Sequence, residues 1–228
     1  MVHISVVIPT RNEEASIGRV LDEVHEAFAG PALPYEILIV DTLSEDETVA
    51  IAEGKGARVV PEDRRGYGRA YKTGFAAASG VLIATLDADC TYPAHEIPRI
   101  AALLEQEQWD FVSCDRLTEL QPEAMEVHHR LGNAMLNKTA ALLYGIRLRD
   151  SQSGMWVFRR AILDRLALGS DGMPFSEELK LEVLAKGLRF GEVPIRYRPR
   201  IGEAKIRSLA DGWGNLRFLI KRRLTSPA

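Results

Sequence analysis

The stretch VLIATLDADCTY, residues 81–92, decides how this chain is read. Residues 81–86 form an apolar run of the kind that fills a strand buried on both faces. It ends on Asp87-Ala88-Asp89. At an extended strand end, residues i and i+2 face the same side, so the two carboxylates converge on one point. They repel each other unless a cation lies between them. Oxygen ligands of this kind suit Mg2+ or Mn2+, which complete their shells with phosphate oxygens and water. A capping loop is the competing reading, since Asp and Thr are both good turn residues.

Upstream of this stretch, strand and helix patterns alternate. Residues 4–8 are a β-branched run closed by Pro9, and residues 36–40 and 57–60 read as further strands. Residues 13–28 have helical spacing, with Ile17, Val20, Leu21, Val24 and Phe28 on one face. Residues 46–53 start a helix with acidic first-turn residues, and residues 67–79 are Ala-rich and helical. This order predicts an α/β fold: a Rossmann-like, mostly parallel central sheet with helices on both faces. Ligands of such sheets sit at the carboxyl ends of the strands. The polar residues there are 10–14, 41–44 and 87–91. Asp41 ends the strand EILIV, where an acid either accepts hydrogen bonds from a ribose or base, or makes an Asx turn into the next helix.

Downstream, helical patterns fit residues 94–107, 126–144 and 177–186, and strands fit 110–113, 155–158 and 193–197. Residues 209–224 mix Trp213, Leu216, Phe218, Leu219 and Ile220 with Arg217, Lys221, Arg222 and Arg223. Such a helix either lies at an anionic membrane interface or packs on its own core with the basic residues outward. No repeat, low-complexity tract or linker interrupts the chain, so residues 1–228 are read as one domain.

Composition narrows the classes. Of 228 residues, 46% are hydrophobic and 27% charged, which is ordinary globular usage and excludes a disordered chain, a collagen or a disulfide scaffold. No uninterrupted apolar run is long enough for a spanning helix. The opening MVHISVVIPT reads straight into a strand, without the layout of a signal peptide. Cys90 and Cys114 are expected to be free thiols in a reducing cytoplasm. The net charge is −3, yet residues 196–223 carry nine basic and two acidic side chains, a local +7 against −10 elsewhere. A basic end suits an anionic partner or a solvated face; the acidic remainder argues against nucleic acid. No G-x-G-x-x-G opens the first helix and no P-loop is present, which disfavours a dinucleotide site and a P-loop kinase.

Six segments then combine: PTRNEE at 9–14, VDTLSEDET at 40–48, GYGRAYKTGFAAASG at 66–80, DAD at 87–89, RDSQSGMWVFRR at 149–160 and VPIRYRPRIGEAK at 193–205. In this order they resemble the family 2 glycosyltransferases of GT-A fold. More closely, they are similar to the dolichol-phosphate or polyprenyl-phosphate mannose and glucose synthases. The resemblance implies a nucleotide-binding half over 1–92, an acceptor-binding half over 93–206 and a basic C-terminal helix over 207–228. It implies an inverting, metal-dependent enzyme that moves a hexose from a nucleotide sugar to a polyprenyl phosphate. GDP-mannose is the favoured donor and UDP-glucose the alternative; a non-catalytic nucleotide-sugar or lipid-binding subunit is the rival reading. The expected location is peripheral, on the cytoplasmic membrane face, with a membrane surface or a membrane subunit as partner.

The resemblance also assigns residues. Pro9, Arg11, Glu13, Val40 and Asp41 match positions that hold the nucleotide, with Thr42 where an acid is usual. Asp87 and Asp89, flanking Ala88, match the pair that holds Mg2+ or Mn2+ against the donor diphosphate, and Thr91 replaces a common Gln. Arg69 and Lys72 face the donor. Asp150 and Gln152 match a segment placed against the sugar. Arg116 and Arg130 match arginines for the acceptor phosphate, whose oxygens suit guanidinium forks. Arg200 and Lys205 match a basic loop that closes over the diphosphates. A phosphate acceptor has a second pKa of about 6, so it needs no general base. A hydroxyl acceptor needs one, and Ser176-Glu177-Glu178 is then the candidate segment, against a plain helix start. His128 and His129 point about 100° apart on a helix, too far to share a metal easily.

Overall fold

The computed structural model describes residues 2–30, 33–121, 124–202 and 208–225. Its first half is built from β1 (Ile4–Thr10), α1 (Ile17–Phe28), β2 (Tyr35–Asp41), α2 (Thr48–Gly54), β3 (Arg58–Pro61), α3 (Tyr67–Ala77) and β4 (Leu82–Thr85). A 3-10 turn at Ala94–Glu96 leads into α4 (Ile97–Gln106), followed by β5 (Phe111–Asp115), α5 (Val127–Tyr144) and β6 (Trp156–Arg159). The chain then forms α6 (Phe175–Ala185), β7 (Phe190–Pro194) and α7 (Ser208–Thr225). The strands join in one sheet of order β3-β2-β1-β4-β6-β5-β7. β1, β2, β3 and β4 run parallel, β5 and β7 run parallel, and β6 lies antiparallel between β4 and β5.

The period-2 alternation of the strands sorts their side chains onto two cores. Ile4, Val6, Ile8, Ile37, Ile39, Leu82 and Ala84 meet the apolar faces of α1 and α4 on one side. Val7, Leu38, Val40 and Ile83 meet Tyr71 and Phe75 of α3 and Phe175 and Leu179 of α6 on the other. Helices on both faces explain why β1 and β2 read as continuous hydrophobic runs. A smaller cluster of Leu136, Ala140, Leu181 and Leu219 joins α5, α6 and α7. In register, Thr10 sits opposite Asp41, and Val7 opposite Thr85. The carboxyl ends of β1, β2 and β4 therefore share one edge. There the chain leaves β1 toward β2 and β3 on one side and returns through α3 to β4 on the other, a reversal that opens a crevice.

Two sequence expectations need correcting. The last strand lies at Phe190–Pro194, not 193–197. Its ladder runs alongside β5 from Phe111–Phe190 to Asp115–Pro194 and ends where β5 ends. The apolar alternation continued because Ile195 is buried and Tyr197 packs on the same core. Beyond the sheet this segment binds the loop after β4, through Arg198 N to Thr91 O (3.0 Å) and Ile201 N to Asp89 O (2.9 Å). The first helix begins at Ile17 rather than at 13, because Glu13 O accepts from both Ser16 N and Ile17 N in a preceding turn. The expected basic helix is present as α7, and no described helix is long and apolar enough to cross a membrane. Cys90 and Cys114 are buried and unpaired.

α3 can lie this close to the sheet because of Gly74. A Cβ there would stand 2.4 Å from Val7 Cγ1 and 2.8 Å from Val40 Cγ2. Gly74→Ala is expected to lose about 1–3 kcal/mol of stability by overpacking. Gly54→Ala, whose added Cβ meets nothing, is expected to gain about 0.5–1 kcal/mol. Urea unfolding of the two variants checks both signs.

Candidate active site

A cavity of about 350 Å3 opens at the shared carboxyl edge of β1, β2 and β4. Asp87 and Asp89 follow β4 directly and both line it. Asp89 is 2% exposed, and both its oxygens are engaged. Oδ1 accepts from Thr91 N (3.0 Å) and Thr91 Oγ1 (2.6 Å), while Oδ2 pairs with the Arg200 guanidinium at 2.8 Å. Thr91 thus orients Asp89. Cys90, between them, takes a φ of +65° to close this turn.

Asp87 has far weaker company. Its nearest donor is the Tyr71 hydroxyl at 3.4 Å. Burial, followed by the charge of Asp89, pushes its carboxyl up to about 7.

The opposite wall is organised around Arg116, just after β5. Its Nε and Nη2 grip Asp150 at 2.7 and 2.8 Å, and its backbone N–H donates to the same carboxylate at 3.1 Å. Burial alone raises a carboxyl, but Arg116 outweighs it and holds Asp150 below the usual range. The guanidinium also lies over the Tyr197 ring, 5.4 Å from its centre. Behind the pair, the Lys180 ammonium donates to the carbonyls of Asp150, Ser151 and Ser153 at 2.8–3.0 Å. Its burial lowers it to about 8. Gln152 lines the cavity and donates Nε2 to Glu177 Oε1 at 2.6 Å. Glu177 is 1% exposed, and burial raises it to about 8.

Pro9, Arg11, Glu13, Asp87, Ala88, Asp89, Arg116, Gln152 and Arg200 come together on the cavity wall. Thr42 lines it too, whereas Val40, Asp41, Arg69, Lys72, Asp150 and Arg130 do not. Val40 is fully buried in the core under α3. Asp41 makes an Asx turn, accepting from Ser44 N (3.0 Å), Ser44 Oγ (2.5 Å) and Thr10 Oγ1 (3.1 Å); its neighbours Thr10 and Thr42 face the cavity instead. Arg69 pairs with Glu62, and Lys72 with Asp171. Asp150 sits behind Arg116 with no exposed surface, and Arg130 is exposed on α5. Lys205 lies outside the described residues. The adjacent His128 and His129 rings lie 4.2 Å apart at an angle of 52°, and His128 faces Glu126.

The sequence reading missed the tyrosines. Tyr67 and Tyr92 line the cavity, and Tyr71 lies beneath Asp87. Tyr92 Oη accepts from Gly154 N at 2.7 Å. Burial, followed by the Asp87 charge, holds the Tyr67 phenol well above its usual range, so it stays a neutral hydroxyl. A Cβ on Gly154 would stand 2.3 Å from Tyr67 Oη, which explains the glycine that ends DSQSG. The tyrosines of GYGRAY were visible in the sequence but indistinguishable from helix-face packing residues. Arg65, after β3, and Met173 complete this side.

This arrangement has relatives. The chain is 38% identical to a low-salt glycan biosynthesis hexosyltransferase of Haloferax volcanii, over 95% of this chain and 53% of that protein. It therefore spans about half the length of that relative. It is 35% identical to a dolichyl-phosphate hexose transferase of the same organism, over 92% of this chain and 89% of that protein. Its structure superposes on glucosyl-3-phosphoglycerate synthase of Mycobacterium tuberculosis, solved with Mn2+, UDP and glucosyl-3-phosphoglycerate. That match has a TM-score of 0.75 at 25% identity and covers 99% of this chain and 81% of the other. The α/β architecture is the GT-A fold that the sequence resemblance implied. Residues 5–167 match the model of glycosyl transferase family 2, and the chain belongs to that family.

Proposed function

We propose that this chain transfers a hexose, with inversion, from a nucleoside diphosphate sugar to a polyprenyl phosphate. The observation that carries the reading is the pairing of two unlike walls in one cavity: the carboxylates of Asp87 and Asp89 face the buried-anchored guanidinium of Arg116. Related hexose transfer to a dolichyl phosphate in the Haloferax relative supports it.

The carboxylates fit a divalent cation. Asp87 carries a charge that no described side chain balances at close range, and oxygen donors suit Mg2+ or Mn2+. Among the described residues no cluster of three or more His, Cys, Asp or Glu gathers, so Asp87 and Asp89 would hold the ion together with donor oxygens. Once bound, the ion supplies positive charge to the diphosphate leaving group. Arg200, on the same cavity wall beside Asp89, would add to that charge when released from Asp89. Arg116, held rigid by Asp150, orients the acceptor phosphate. That phosphate is already ionised near neutrality and attacks the anomeric carbon on the face opposite the leaving group, with no general base.

GDP-mannose is the first donor for this reading. UDP-glucose is the second, favoured by the UDP and Mn2+ bound to the mycobacterial structural relative. The acceptor lies in a membrane, and the surface offers a face for it. Trp213, Arg217, Ile220, Lys221 and Leu224 form one exposed stripe of α7, and Val127, Leu131 and Met135 one of α5. Apolar and basic side chains interleaved in this way suit peripheral docking on an anionic surface, which we place at the cytoplasmic face.

Transfer from GDP-mannose or UDP-glucose to a short polyprenyl phosphate should be measurable with Mn2+ and vanish with chelator. Asp87→Asn and Asp89→Asn should each lower kcat on the order of a hundredfold; retention of full turnover by both would refute the metal site. The metal-free protein should also lose stability as pH rises from about 5 to 8. Folded Asp87 titrates near 7 instead of 3.8, and Glu177 near 8 instead of 4.5. Both bind protons more tightly when folded, so their stabilisation is complete at low pH and lost through that window. Thermal unfolding of Asp87→Asn in chelator should keep only the Glu177 part of the slope. Finally, Trp213→Glu with Leu224→Glu should abolish sedimentation with anionic liposomes and leave Tm unchanged.

A further inference from the structure

α7 reaches the cavity wall through Asn215. Its inner face carries Asn215, Leu219 and Arg222, spaced i, i+4 and i+7. Leu219 is fully buried against α5 and α6, and Tyr144 Oη donates to its carbonyl at 2.7 Å. Arg222 pairs with Glu182. Asn215 is 4% exposed and donates Nδ2 to Gln152 Oε1 at 2.6 Å. The Gln152 amide is thereby held at both ends. Its Nε2 hydrogens go to Glu177 Oε1 (2.6 Å) and Ser151 Oγ (3.1 Å), and one lone pair of Oε1 goes to Asn215. Turning this amide over would set N–H against N–H at Asn215. One Oε1 lone pair remains, on a residue that lines the cavity. The cluster is rich in acceptors: Glu177 Oε2 and Asn215 Oδ1 are both buried without a partner.

We propose that Asn215 is a positioning residue, which fixes the Gln152 amide so that its oxygen faces the donor sugar and accepts from one of its hydroxyls. The inference rests on the donor-site reading above and extends it to a helix that lies outside the sheet. In this arrangement the seating of α7 and the recognition of the sugar are one event. A loosened α7 frees the amide to rotate, and the cavity then offers N–H or carbonyl indifferently. The nucleoside diphosphate itself does not depend on this contact.

The test is calorimetric binding of GDP-mannose and UDP-glucose, with GDP and UDP as sugar-free controls, to the whole chain in Mn2+. Asn215→Ala should weaken the nucleotide sugar about fivefold to tenfold, the loss of one hydrogen bond, and leave the nucleoside diphosphate within about twofold. Gln152→Ala should show the same split, and the double variant should bind no more weakly than Gln152→Ala, because Asn215 acts through Gln152. Arg223→Ala, on the exposed face of α7, leaves both the seating of the helix and Gln152 untouched and should keep wild-type sugar affinity. Additive losses in the double variant, or equal weakening of sugar and sugar-free ligands, would overturn the positioning role alone. Failure of the wild type to bind any of the four ligands would overturn the donor-site reading, and this inference with it.

Discussion

Asp150 and Arg116 form the contact on which the rest of the site depends. Neither could be buried alone: removing one partner of such a pair costs about 3–5 kcal/mol, because the other is left as an uncompensated charge. Together they give the cavity a cation whose direction is set by two bonds rather than by a flexible stem. Asp150 also accepts from the backbone N–H groups of Arg116 and Gln152, so the same carboxylate registers the end of β5 against the loop before β6. An acid with no exposed surface therefore governs an arginine that lines the cavity.

Topology explains why this pair faces the carboxylates. β6 runs antiparallel between β4 and β5, so the loop entering it lies at the same sheet edge as the exits from β4 and β5. Asp87, Asp150 and Arg116 come from three separate segments but share that edge. The acidic wall and the basic wall are thus neighbours by strand order. The segment after β7 then crosses back to bond the 89–91 loop, which brings Arg200 to Asp89.

Much of this was legible in the sequence. The alternation of buried strands and amphipathic helices fixes the order of β1 to β4, and Asp87-Ala88-Asp89 marks the strand end from which the cavity is built. α7 was legible as a helix with mixed apolar and basic residues, and the structure places Leu219 in a core while Trp213 is 69% exposed. What could not be read depends on long-range company. Asp41 was ambiguous between ligand contact and Asx turn until Ser44 and Thr10 were seen on its oxygens. Lys72 matched a position that faces the donor, and its partner Asp171 lies about a hundred residues away in sequence. α6 carries Glu177, Glu178, Lys180 and Glu182 in a helix buried nearly throughout, where sequence pattern predicts an exposed charged face. Nothing local distinguishes a charge that caps three carbonyls from one that faces water.

That Lys180 contact has a mechanical consequence. Its ammonium is the common anchor of the carbonyls of Asp150, Ser151 and Ser153. Displacing this loop would strip hydrogen bonds from a buried cation and orphan up to three acceptors at once. The wall of the cavity that carries Arg116 and Gln152 is therefore held as one rigid unit with the loop that Lys180 anchors.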